Sequence, residues 1–267
     1  MSCACGHHHP RHDHGGEGAA IALARPMIAL SGRLICADTA QMMTALSLLP
    51  DHVELSRAEP GCLRFDIWQD DDPMLWHLSE VFTDADAFAA HQARAGSSEW
   101  GRKSADIERD FHKREIHPVI RPELPSDRDA IDALLRATFG GGDEARLVAE
   151  LRRQGDLSLS LVAEAAGAVI GYLGLSPLAG DTEAVALAPV AVTSKAQGLG
   201  IGGALVHEAL GWAGETPMVV LGDPAYYSRF GFAPAELDSP YAGPHLQLHG
   251  KLAAGSKIRH ASAFSML

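Results

Sequence analysis

Long apolar runs are missing from this sequence. No segment approaches the roughly 18 apolar residues that a membrane-spanning helix needs, and the first residues hold histidine, glycine and charge where a signal peptide would place an apolar stretch. A soluble, unprocessed chain with no membrane partner is expected. Cysteine is scarce as well. Cys3, Cys5, Cys36 and Cys62 form no spaced disulfide framework, which fits a reducing, cytoplasmic location. Basic charge is in deficit: 22 Lys and Arg stand against 34 Asp and Glu, a net charge of -12. Such a field repels phosphate backbones, so nucleic acid is not an expected partner. The acidity favours a cationic, amine-bearing substrate, although most such charge is solvated surface.

What is there is enough for real cores. The 267 residues are 46% apolar and 21% charged, with 27 glycines, the composition of a soluble globular protein. At about 100 to 150 residues per domain, two domains are expected. Residues 1–24 stand apart. Cys3, Cys5, His7, His8, His9, His12 and His14 lie among Gly and Pro, and a segment so low in complexity reads as a disordered tail. Its side chains are competent ligands for Zn, Ni or Cu. Their spacing is not that of a structural zinc site, and no metal is assigned.

The next stretch, residues 25–117, alternates strand and helix signals. Met27 to Ala37 reads as a strand, and Thr39 caps a helix through Gln41, Met42, Leu46 and Leu49 that Pro50 and Asp51 interrupt. Glu59-Pro60-Gly61 is a turn, Cys62 to Trp68 alternates, and Asp70 to Pro73 turns the chain into Met74 to Phe82. Thr83 and Asp84 open another helix bearing Ala87, Phe88 and His91, and a strand ends near Ile116. The order β-α-β-β-α-β is that of a ferredoxin-like α+β domain.

His117-Pro118 marks a boundary, and a second domain, residues 118–267, begins at Val119-Ile120-Arg121-Pro122. Helices follow from Ser126 to Phe139 and from Glu144 to Gln154. Leu157 to Glu164 and Val169 to Leu175 form a hairpin about Gly167. Ala184 to Thr193 is a long apolar strand, Ala204 to Ala213 a helix, Met218 to Leu221 a buried strand, and Ala225 to Phe230 a short helix. A mixed α/β sheet around a central strand is expected.

The most specific stretch joins that strand to its helix: Val190-Ala191-Val192-Thr193-Ser194-Lys195-Ala196-Gln197-Gly198-Leu199-Gly200-Ile201-Gly202-Gly203. Its glycines let backbone approach a bulky anion, and free amides at the helix start hold a pyrophosphate. No Gly-Lys-Ser/Thr ending makes it a P-loop, and it lies too late in its domain for a dinucleotide fingerprint. A tight packing turn is the alternative. Gln-x-x-Gly-x-Gly after an apolar strand, with Gly222-Asp223-Pro224-Ala225-Tyr226-Tyr227-Ser228-Arg229-Phe230-Gly231-Phe232 following, resembles the GNAT acetyltransferase superfamily over roughly residues 118–267. The resemblance implies a GNAT-type fold with acetyl-CoA as donor. It also implies backbone pairing of the pantetheine arm along Val190, Ala191 and Val192, and pyrophosphate binding by Gln197, Gly198, Leu199, Gly200, Ile201, Gly202 and Gly203. Tyr227, four residues before the glycine of the Gly-Phe pair, takes the family's general-acid position; aromatic packing is its alternative role. Glu183, just before the central strand, is a candidate base, with an exposed loop glutamate as the plainer account.

Residues 26–116 resemble the antibiotic biosynthesis monooxygenase family through Ser56 to Phe65 and Glu80 to His91. That resemblance implies a small ferredoxin-like domain dimerising through its sheet, an aromatic substrate of the quinol type, dioxygen as oxidant, and no flavin or metal. His91 would polarise or deprotonate a substrate hydroxyl. Members often carry a second histidine five residues on, and here that position is Gly96. Trp68 and Trp76 read as core.

The whole reads as an N-acetyltransferase acting on a small-molecule amine, fused to a monooxygenase-like domain in a homodimer. The alternatives are a non-catalytic protein sensing acyl-CoA and a phenolic metabolite, or a quinol-type monooxygenase as the main activity.

Overall fold

The computed structural model describes residues 21–266. The side chains competent to bind metal, Cys3 to His14, lie outside the described residues. Ile21 and Ala22, within the range read as a tail, form a strand, β1 (Ile21–Ala22), which pairs antiparallel with β6 (Val119–Pro122). The first strand of the chain thus adds to the sheet that begins a hundred residues later.

Between them lies the expected β-α-β-β-α-β order. Strands β2 (Met27–Ile35), β3 (Cys62–Gln69), β4 (Leu75–Phe82) and β5 (Glu108–Ile116) form an antiparallel sheet in the order β3-β4-β2-β5. Helix α1 (Thr39–Ala58) starts from Asp38, whose side chain accepts from Gln41 N–H, the arrangement expected of an N-cap. Sequence reading ends this helix at Pro50, yet it continues two further turns. Ala45, Leu49, His52 and Ser56 are buried at spacings of four, three and four, so one continuous face packs on the sheet and outweighs the proline's missing N–H. Helix α2 (Ala85–Ser97) is capped by Asp84 and followed by the short α3 (Glu99–Lys103).

The second sheet runs β1-β6-β7-β8-β9-β10-β12-β11. Strands β7 (Leu159–Ala165), β8 (Ala168–Gly180) and β9 (Ala184–Val192) are antiparallel neighbours, whereas β10 (Met218–Leu221) runs parallel to β9. The edge beyond is β11 (Ala233–Pro234) and β12 (Leu246–His249), and β13 (Ile258–Arg259) pairs with the far end of β8. Helices α4 (Arg128–Phe139) and α5 (Asp143–Gln154) bury Ile131, Leu135 and Val148 against Val162, Tyr172 and Ala191. Helix α6 (Ile201–Ala213) buries Ile201, Leu205, Val206 and Ala209 with Ile170, Leu173 and Val185. That cluster also takes in Met27 and Val81 of the first sheet. The two sheets therefore share apolar contact rather than hanging from a linker.

Candidate functional site

Strand β9 is paired along its length with β8 but with β10 only from Val185 to Leu187. Beyond Leu187 the two parallel strands part, opposite a register shift in β8 between Leu173 and Leu175. Bulges of this kind bend a strand away from its neighbour. On the side away from β8, β9 from Ala188 to Val192 has no strand partner among the described residues, a place where an extended ligand arm can add by backbone hydrogen bonds.

The strand leads into a 3-10 turn, Ser194–Ala196, then into Gln197 to Gly200 and α6. Gly198 and Gly200 have φ of +78° and +86°, a left-handed geometry that side chains resist. Among the described residues no side chain caps α6, so the first-turn amides, which have no partner inside any helix, are open to an anion favoured by the helix dipole. The Gln197 side-chain amide donates back to the Val192 carbonyl at 3.2 Å, holding the loop to the strand end. Val190, Val192, Gln197, Gly198, Gly200, Ile201, Gly202 and Gly203 line one cleft of about 760 Å³ together with His207, Tyr226, Tyr227, Arg229 and Phe230.

Two expected residues meet the cleft differently. The Ala191 side chain is buried beneath α4 with Tyr172, which leaves its backbone to a ligand, and Leu199 is half-buried against the apolar cluster. Tyr227 lies on α7 (Pro224–Tyr227), which Asp223 caps through the Ala225 N–H. Its ring packs edge-on to Tyr226 and Phe232 at 4.9 and 5.6 Å. Burial, with the Tyr226 phenol beside it, pushes its hydroxyl up to about 12. Glu183 is not brought to the cleft. It is exposed on the turn before β9, and seven residues at about 3.3 Å each put it roughly 20 Å from Val190. Among the described residues, none that lines the cleft is a carboxylate.

The first sheet and α1 to α3 enclose a separate cavity of about 280 Å³ walled by Leu34, Leu49, Phe65, Leu78, Trp100 and Phe111. His91 is buried on its wall, its Nδ1 donating to Glu59 at 2.9 Å and its Nε2 3.8 Å from Glu80. Burial lowers its pKa against the opposing pull of Glu59. Glu80 and His52 also face the cavity, and neither was singled out in the sequence. Burial, then the nearby Glu59, raises the Glu80 carboxyl to about 8; burial, with Arg94 next, lowers His52 to about 3. One Glu80 oxygen and His52 Nδ1 have no hydrogen-bond partner among the described residues. Gly96, where a second histidine was expected from the resemblance, lines the cavity and has open space where a side chain would start. Trp76 is core, whereas Trp68 is half exposed and stacks on His77.

Comparison with known proteins gives the same division. The model for Antibiotic biosynthesis monooxygenase matches residues 37–103, and that for Acetyltransferase (GNAT) domain matches residues 156–234. YhbS of Escherichia coli strain K12, called an uncharacterized N-acetyltransferase, is 47% identical over 121 residues, covering 43% of this chain and 72% of YhbS. The chain belongs to the GNAT acetyltransferase family. A second GNAT relative, YjhQ of the same strain, is 34% identical over 130 residues, 45% of this chain and 72% of YjhQ. The crystal structure of E. coli YhbS in complex with CoA aligns with a TM-score of 0.52 at 38% identity, covering 55% of this chain and 92% of that one. The GNAT match spans β7 to β11 of the second sheet, and the monooxygenase match spans α1 to α3 with β3 and β4 of the first.

Proposed function

We propose that this protein transfers an acetyl group from acetyl-CoA to a small-molecule amine. The observation that carries the reading is the meeting, in one cleft, of the unpaired β9 edge from Ala188 to Val192 with the uncapped start of α6. The pantetheine arm would extend the sheet along Val190 and Val192 while the pyrophosphate rests on the amides from Gly198 to Gly203. That the crystal structure of YhbS holds CoA supports a CoA thioester as the donor.

In this reading the amine attacks the thioester carbonyl, and a backbone N–H near Val190 meets the tetrahedral oxyanion. Collapse expels the CoA thiolate, toward which Tyr227 directs its hydroxyl hydrogen. An alkylamine with a reference pKa of about 10.4 must first lose a proton. Among the described residues no carboxylate lines the cleft, and in this reading that proton leaves through water.

Calorimetry of acetyl-CoA into wild type, Gly200→Ala and Gly200→Glu tests the donor site. Both variants strain the positive φ, and only the glutamate places an anion where the pyrophosphate should rest. Binding retained largely in the alanine variant and abolished in the glutamate variant is expected. Absence of binding by folded wild type would refute the reading. With donor binding in hand, acetyl transfer across an amine panel separates the enzyme from a protein that only senses acyl-CoA.

The cavity around His91 favours a second reading, that the N-terminal domain holds a small phenolic compound whose hydroxyl His91 polarises. Dioxygen uptake with quinols, present in wild type and lost in His91→Ala, would make that domain an oxygenase. Quinol binding without uptake would make it a ligand-holding module.

A further inference from the structure

Lys195 sits two residues before Gln197 in the glycine loop, where a lysine would be expected to reach for phosphate. It does not line the cleft. Its ammonium points the opposite way and donates to two carbonyls of the N-terminal domain, Arg57 O at 2.5 Å and Cys62 O at 2.9 Å. Two of its three donors are thereby used. Next to it Ala196 is fully buried, so the 3-10 turn is held from below by packing and from the side by this contact.

The acceptors are themselves fixed. Arg57 and Cys62 bracket the Glu59-Pro60-Gly61 turn, closed by Glu59 N–H to Ser56 O, Cys62 N–H to Glu59 O and Thr83 N–H to Gly61 O. From the same turn Glu59 reaches across to accept from Arg94 Nε at 2.5 Å and from His91 Nδ1 at 2.9 Å. One short segment therefore grips the glycine loop on one side and the wall of the N-terminal cavity on the other. A further side-chain hydrogen bond between these parts among the described residues, Arg64 to Ala166 O at 3.3 Å, lands on the β7–β8 turn, away from the cleft.

We propose that Lys195 is a positioning residue for the pyrophosphate loop, so that the N-terminal domain completes the acetyl-CoA site. The inference rests on the donor reading above. It gives the fusion a physical role: the amides from Gly198 to Gly203 are aimed from a turn anchored in the other domain, and preorganised donors bind an anion more tightly than donors ordered on binding.

Lys195→Met keeps the aliphatic stem and removes the ammonium. A charge-assisted hydrogen bond lost from a binding loop corresponds to about a tenfold change in affinity. The acetyl-CoA dissociation constant and KM should rise about tenfold, while kcat at saturating acetyl-CoA stays within about twofold and Lys195→Arg restores affinity. The loss should be nearly the same at low and high salt, since the acceptors are neutral carbonyls; a lysine serving phosphate directly would show a loss that shrinks as salt screens it. Glu59→Ala, which frees the turn from Arg94 and His91, should weaken acetyl-CoA as well. Combined with Lys195→Met it should cost less than the sum of the two single effects. Unchanged affinity in Lys195→Met, a salt-dependent loss, or strict additivity with Glu59→Ala overturns the proposal. If wild type itself binds no acetyl-CoA, the donor reading falls first; if wild type binds and Lys195→Met binds equally, only the anchoring role falls.

Discussion

The Tyr226 hydroxyl lies 2.8 Å from the point where a β-carbon on Gly202 would stand. The tyrosine has little freedom to retreat, because the Arg229 guanidinium covers its ring at 4.2 Å and Tyr227 packs edge-on to it. A methyl group at Gly202 therefore pushes on the cleft wall just where α6 begins. Gly202→Ala should weaken acetyl-CoA binding about tenfold or more, read by calorimetry. Stability should change little, because the helix gain of alanine over glycine, about 1 kcal/mol, offsets part of the crowding.

Tyr227 makes a different prediction. With its hydroxyl pushed up to about 12 by burial, it stays protonated throughout the working range. Complete transfer of its proton to a thiolate whose thiol titrates near 8.5 is uphill by roughly 5 kcal/mol, so its role is a hydrogen bond that strengthens as the thiolate leaves. Tyr227→Phe should lower kcat about a hundredfold while acetyl-CoA affinity holds. The wild-type rate should climb with pH as the amine is deprotonated. No alkaline fall from this residue should appear up to about pH 10. Equal turnover by Tyr227→Phe would remove it from the chemistry.

Glu183 should prove dispensable. An exposed side chain about 20 Å along the strand from Val190 has no route to the amine, and Glu183→Gln should leave kcat, KM and their pH profiles within about twofold of wild type in the acetyl-transfer assay.

The glycine loop was legible because its requirements are local. Positive φ at Gly198 and Gly200 and an uncapped helix start follow from residues adjacent in the chain. The base was not legible, since position just before a strand says nothing about which end of that strand faces the ligand. The N-terminal cavity was half legible. His91 shows on its helix, but His52 was hidden because Pro50 reads as a helix end, and only the packing of Ala45, Leu49 and Ser56 carries the helix past it. Glu80 did leave a signal. It occupies the phase of Trp76, Leu78 and Phe82 on β4, the side buried in the core, where a carboxylate is out of place. The tie from Lys195 to Arg57 and Cys62 spans more than 130 residues, beyond the reach of any local pattern.

Glu80 also makes the first domain's stability depend on pH. Its folded carboxyl is raised from 4.5 to about 8, by burial first and then by Glu59. A group whose folded pKa lies above its unfolded value stabilises the protein fully below the unfolded value, and that contribution disappears as pH rises through the folded one. The stability attributable to Glu80 should therefore be complete near pH 4.5 and fade toward pH 8, as a buried carboxyl is forced to ionise with one oxygen unpartnered. Glu80→Gln keeps the shape and cannot ionise. Denaturant melts should show the variant close to wild type at about pH 5 and more stable by a few kcal/mol at about pH 9. A difference that stays constant across that range would mean that Glu80 is already ionised in the folded protein and paired in solution with a cation such as Arg94.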